Sequence, residues 1–203
     1  MSRVLRLSAL VLAAVAVAAG AWLAARALEK PSLPRFATVL AEPRPLPEFS
    51  LTDQDNRPFD AARLRGHTSL LFFGFTHCPD ICPATLAQLA AARQQLAAAG
   101  AELPQIVLVT VDPERDTPEV LARYVGYFGA GITGVTGPVG EIRALAEPLG
   151  VYFEKTPLGD AYTMGHSTAV LVVGPDVALQ ALFTAPHDVD AFVHDLPILM
   201  ASG

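Results

Sequence analysis

Phe72-Phe-Gly-Phe-Thr-His-Cys-Pro-Asp-Ile-Cys-Pro83 holds Cys78 and Cys82, the only two cysteines of this 203-residue chain. Apolar residues run into the pair, and an Ala/Leu/Gln-rich segment from Ala84 to Ala99 runs out of it. That pattern predicts a buried strand, a sharp turn, and a helix whose first turn carries both thiols. A helix N-terminus has partial positive charge, which favours thiolates there as nucleophiles and metal ligands. Positions four apart on a helix share a face, so the two sulfurs can converge on one disulfide or one metal ion. A purely structural staple is the plainer alternative, but a bridge across three residues closes too short a loop to gain much stability. Thiol or soft-metal chemistry is the expectation.

The chain length suits one domain with an appendage. Leu7 to Ala25 is an apolar run broken only by Ser8 and Gly20, with Arg3 and Arg6 before it and Arg26, Glu29 and Lys30 after it. It reads as an N-terminal transmembrane helix, long for the core of a secretory signal; cleavage near Ala19-Gly-Ala21 is the alternative. Either way Arg3 and Arg6 stay inside and the remainder leaves the cytoplasm, for the bacterial periplasm. Residues 1–28 are thus expected to be a membrane anchor, 29–47 a proline-rich spacer with Pro31, Pro34, Pro43, Pro45 and Pro47, and 48–203 the functional domain. A formal charge of −6 and the lack of any Lys/Arg run after residue 35 exclude a nucleic-acid surface.

Within the domain, Phe49-Ser-Leu51 and Arg57-Pro-Phe59 flank turn residues and predict a hairpin. Strands are expected over 69–75, 105–111, 132–136 and 151–155, and a final hairpin over 167–173 and 179–184 around Gly174-Pro-Asp176. Helices are expected over 83–99, ended by Gly100, from Asp116 to about 128, over 139–149, and from Asp188 to about 200. Asp116 with Glu119 three residues on has the form of a capping box. Asp112 either shapes a turn with Pro113 or serves in an acidic docking or metal loop. Apolar strands alternating with helices, then a hairpin and helix, indicate an α/β fold with a mixed sheet flanked by helices.

A strand feeding two cysteines at a helix start, inside such a pattern, is thioredoxin-like, although thioredoxins have two residues between the thiols and this chain has three. A two-thiolate site prefers soft ions such as copper(I), zinc or an iron–sulfur cluster. Zinc and cluster sites want four protein ligands, so the five histidines are the remaining candidates, and copper(I) accepts fewer ligands. His67, His187 and His194 read as surface residues, and His77 as a modulator of thiolate charge. His166, in Tyr162-Thr-Met-Gly-His-Ser167 just before an apolar strand, is either a third ligand or a structural histidine.

Cys78-Pro-Asp-Ile-Cys-Pro83, Val111-Asp-Pro-Glu-Arg-Asp-Thr117 and a histidine before a late strand together resemble the Sco/SenC family of copper-handling proteins, from about Pro47 to the end of the chain. The resemblance implies a thioredoxin-like domain tethered outside the cytoplasm, with Cys78, Cys82 and His166 as ligands of a copper ion. It also implies delivery of copper to the binuclear copper centre in the copper-bearing subunit of cytochrome c oxidase. A thiol reductase and an upstream copper donor are then further partners. The chain departs from the family at Gly165, where Asp commonly precedes the histidine. Imidazole ligands are usually oriented by an acceptor on the other ring nitrogen, so either another group orients His166 or the loop that carries it into the late strand is looser than usual; a loosely placed His166, with Gly165→Asp tightening copper binding, is the expectation. Met164 could lend a soft thioether, though an apolar packing role is the simpler reading. A membrane-tethered thiol–disulfide oxidoreductase, with Cys78 attacking and Cys82 resolving, is the competing reading. A peroxiredoxin-like peroxidase is disfavoured because no Arg and hydroxyl accompany Cys78 in its motif.

Overall fold

The structure, a computed structural model, describes residues 33–129, 131–159 and 161–201, together with 12, 15–18, 20 and 21. The chain divides into Met1–Leu33 and Pro34–Gly203, and the second unit carries the fold. Most of the expected membrane anchor lies outside the described residues; none of the described helices is long and apolar enough to cross a membrane.

Ten strands, five α-helices and one short 3-10 helix (Glu147–Leu149) occur among the described residues of the second unit. In chain order the strands and α-helices are β1 (Thr38–Pro45), β2 (Leu51–Asp53), β3 (Pro58–Phe59), α1 (Ala61–Leu64), β4 (Ser69–Gly74), α2 (Ile81–Ala98) and β5 (Gln105–Thr110). Then come α3 (Pro118–Gly126), β6 (Ile132–Thr136), α4 (Val139–Ala146), β7 (Phe153–Leu158), β8 (Ala161–His166), β9 (Val170–Val173), β10 (Ala178–Phe183) and α5 (Val189–Ala201). Eight strands form one mixed sheet in the order β1-β10-β9-β4-β5-β6-β2-β3. β4 lies at its centre, parallel to β5 and antiparallel to β9. All six of its residues are buried, which is why its sequence is a continuous apolar run rather than an alternation. α2 ends where expected: Gly100 takes φ +70, Ala101 N–H bonds to Leu96 O and Gly100 N–H to Ala97 O, the paired bonds of a Schellman cap. Around this frame, α2 packs on α5 and α3 lies on β6.

Three expectations are corrected. The spacer anticipated through residue 47 instead contributes β1, which pairs antiparallel with β10 at the sheet edge, where proline is tolerated. The Asp195 carboxylate draws this segment in by accepting from the backbone N–H groups of Arg35, Phe36 and Ala37 at 2.9, 2.7 and 2.7 Å. Asp116 does not cap α3. The cap is Thr117, whose hydroxyl accepts from Val120 N–H, because the Asp116 side chain is wholly buried elsewhere. Finally, the segment read as a loop entering β9 is a strand, β8, forming a separate two-stranded sheet with β7. Gly159-Asp160 between two extended runs was the signal for that hairpin.

Candidate metal centre

Cys78 stands in the turn after β4, two residues before the helix cap Asp80, and only Cys82 lies in the first turn of α2. The pair still converges, because Cys82 N–H donates to Cys78 Sγ at 3.4 Å. Cys78 keeps 9 % of its surface exposed and Cys82 none; both are free thiols. Gly74 makes the space: a Cβ there would come within 3.0 Å of both Cys82 Sγ and the Phe72 ring.

His166, the last residue of β8, brings Nε2 to 3.4 Å from Cys82 Sγ. The ligand atoms of Cys78, Cys82 and His166 all lie within 4.8 Å of one another. Phe72 and Phe75 present ring edges to the imidazole at centroid distances of 6.1 and 5.8 Å. Nδ1–H donates to the backbone carbonyl of Ser167 at 2.8 Å. That bond fixes the tautomer and leaves the Nε2 lone pair facing the thiols, as an orienting acceptor does for a metal-bound histidine. A peptide carbonyl thus fills the role expected of an aspartate at 165, and His166 sits in a strand paired with Phe153 rather than in a loose loop.

Burial governs the protonation states. Desolvation pushes the Cys82 thiol well above its ordinary value, assisted by the hydrogen bond with Cys78, so the helix end does not prevail at this position and Cys82 is an S–H donor toward Nε2. Desolvation lowers His166, with the Ser167 carbonyl acting against it. In the metal-free state the trio is uncharged at Cys82 and His166, which suits an apolar pocket. Two hydroxyls near the frame have no hydrogen-bond partner among the described residues, Thr85 one turn after Cys82 and Tyr124 on α3. Desolvation and the neighbouring thiols Cys82 and Cys78 push the Tyr124 hydroxyl upward.

The motif aspartates hold this arrangement. Asp116 accepts from Thr76 N–H at 3.0 Å, from the Thr76 hydroxyl at 2.6 Å and from the Thr110 hydroxyl at 2.6 Å, tying the cysteine turn to the end of β5. Asp112, 2 % exposed, accepts from the Tyr162 hydroxyl at 2.9 Å and from Arg115 Nε. Burial and the Asp112 carboxylate push the Tyr162 hydroxyl up to about 12, so it remains a donor. His187 is not a surface residue: it is buried, with Nε2–H donating to Thr168 O at 2.8 Å, while its own carbonyl accepts from Gln88 on α2. His67 and His77 are exposed, and His77 Nδ1 contacts the Thr76 hydroxyl. His194 pairs with Asp195. Asp112, Asp116 and His187 stabilise segments that carry the trio, a role that only long-range contacts reveal.

A thioredoxin-like frame presenting two thiols and an imidazole at one point defines a protein of thiol or soft-metal chemistry. The SCO1/SenC family model matches residues 40–201, and the chain belongs to that family. A protein from Stutzerimonas stutzeri, provisionally named as copper-binding, is 39% identical over 177 residues, covering 86% of this chain and 87% of its own. A curated relative from Arabidopsis thaliana, the mitochondrial protein SCO1 homolog 1, is 37% identical over 70% of this chain, which spans 43% of that protein's length. The crystal structure of Arabidopsis thaliana ScoI with copper bound superposes with a TM-score of 0.70 at 35% identity, covering 74% of this chain and 94% of that one.

Proposed function

We propose that this chain is a copper metallochaperone. Cys78, Cys82 and His166 take the ion and hand it by ligand exchange to the copper-bearing subunit of cytochrome c oxidase. The observation that carries the reading is the convergence of two thiols and one oriented imidazole within 4.8 Å. Two sulfurs and one nitrogen satisfy copper(I), which accepts low coordination, but leave a structural zinc site short of a fourth protein ligand. The copper-bound relative and the copper-binding name of the Stutzerimonas protein support the choice of ion. Exchange is favoured by the exposed edge of Cys78, where a partner's thiolate can enter while Cys82 and His166 still hold the ion. Loading needs the reduced pair, so a thiol reductase and a copper donor belong to the cycle. The apolar N-terminal run supports a domain held outside the cytoplasm and tethered to the membrane.

The same exposure difference favours a second activity, reduction of partner disulfides: Cys78 is placed to attack and Cys82 to resolve the mixed disulfide. The two readings separate on copper stoichiometry and on His166. The purified, reduced chain should take up one copper per molecule, and Cys78→Ser/Cys82→Ser should take up none. Full disulfide exchange by a chain that binds no copper would instead establish the reductase.

A further inference from the structure

His166 is delivered by an element that the main sheet does not hold. Among the described residues β7 and β8 pair only with each other, and an open groove of about 350 Å³ lies beside them, lined by Val111, Phe153, Lys155 and Met164 among others. The groove is open to solvent, so this side of the hairpin is not packed into the core. Alternation along a strand puts Tyr162, Met164 and His166 on one face. The pairing register adds Phe153 and Lys155 to that same face. Phe153 and the Ser167–Tyr152 backbone bond secure the His166 end. At the other end Tyr162 makes the connection. Its hydroxyl donates to Asp112, its carbonyl accepts from Arg115 Nη1 at 3.3 Å, and its ring lies 3.9 Å from the Arg115 guanidinium carbon and 3.8 Å from Lys155 Nζ. Lys155 also pairs with Glu114 at 2.7 Å. Asp112, Glu114 and Arg115 belong to the loop that follows β5, and Asp116 of that loop holds the cysteine turn.

We infer that Tyr162 is a positioning residue for the third ligand. By fastening the hairpin to the Asp112–Arg115 loop, it sets where His166 meets the thiols. The loop then serves as a common support, with Asp116 fixing the cysteine side and Asp112 the histidine side. The inference rests on the copper reading of the trio for its affinity effects, and on the fold alone for the hairpin's order.

The test compares Tyr162→Phe, which loses only the hydroxyl, with Tyr162→Ala, which also loses the stacked ring, each with His166 present and in a His166→Ala background. Copper(I) affinity of the full chain is read by chelator competition, and hydrogen–deuterium exchange of the metal-free chain by mass spectrometry. Loss of an orienting partner typically weakens metal binding about 10–100-fold. One step further out, Tyr162→Phe should cost about 3–10-fold and Tyr162→Ala about 10–100-fold. Both losses should vanish when His166 is absent, a non-additivity that marks coupling between the two residues. In the metal-free chain, amides of 153–166 should exchange faster while those of β4 and β5 stay protected. Equal losses with and without His166, or unchanged exchange in the hairpin, would overturn the inference. Failure of the unmodified chain to take up copper would sink the copper reading instead, and hairpin exchange would still decide the role of Tyr162.

Discussion

Cys78 and Cys82 follow β4, which shares backbone ladders with β5 on one side and β9 on the other. His166 ends β8, whose only ladder among the described residues is with β7. The thiols are therefore placed by the most cooperative part of the molecule, where backbone bonds and buried apolar side chains reinforce each other. The imidazole is placed by one carbonyl, two aromatic ring edges and the contacts of its hairpin. A site assembled this way can hold two donors fixed while the third moves, which is what acceptance and release of an ion demand of its ligands. The comparison predicts that changes on the thiol side abolish the site and that changes on the histidine side only weaken it.

The largest effect should come from Cys82→Ser. It removes the wholly buried thiol that lies 3.4 Å from His166 Nε2 and hydrogen-bonds with Cys78, and copper affinity should fall by more than about 100-fold, beyond what loss of an orienting partner alone brings. Competition against a chelator measures it, and a loss of less than tenfold would erase the distinction between the two sides. Next is Asp116→Ala, which strands two hydroxyls and one backbone N–H of the cysteine side. Leaving buried donors without an acceptor should cost about 2–4 kcal/mol of stability, read as a lower urea midpoint. His166→Ala should weaken copper about 10–100-fold and remove copper–nitrogen scattering, while Cys78 and Cys82 still form a disulfide on oxidation.

A smaller effect lies far from the site. Burial alone would raise the Asp195 carboxyl, but the N–H groups of Arg35, Ala37 and Phe36 and the His194 ring prevail and hold it below its ordinary value. A carboxyl depressed in the folded state adds stability that is complete above its unfolded value, near 3.9, and is lost as pH falls through the folded one. Asp195→Asn should accordingly flatten part of the acid limb of a stability–pH curve below about pH 4 and leave copper affinity unchanged. The smallest effect is expected from Gly165→Asp. Gly165 is exposed on the face of β8 opposite His166, and a Cβ there meets nothing nearer than Glu154 O at 3.9 Å. Its carboxylate would point away from the imidazole, whose Nδ1–H is already taken, so affinity should change less than about twofold, since no partner that orients the ring is gained or lost. A tenfold gain would show that the Ser167 carbonyl is a poor substitute and that the histidine side is looser than its geometry implies.

Much of this was legible from local pattern. The continuous apolar runs of β4 and β5 announced central strands, Gly100 marked the end of α2, and the isolated Cys-x3-Cys at a strand–helix junction announced the chemistry. His166 was legible only through the joint resemblance of three motifs, because a single histidine before a strand has no periodic signature. Asp116 was misjudged, and Asp112 left open, for the same reason: a buried carboxylate that accepts from residues 40 and 50 positions away looks, in sequence, like a turn former or a cap. The proline-rich segment concealed β1, since proline content argues against a ladder and only the unpaired edge of β10 makes one available.

By itself, then, the sequence determined the α/β frame, the placement of two thiols at a strand–helix junction, and the class of ion they would favour. Those features follow from hydrophobic periodicity, cap chemistry and side-chain softness, which act over a few residues. The tertiary structure alone decided that burial keeps Cys82 protonated, that a peptide carbonyl rather than an aspartate orients His166, and that the histidine rides on a hairpin outside the main sheet. Each of these depends on which distant groups share a low-dielectric space, where desolvation and a single hydrogen bond outweigh local propensity.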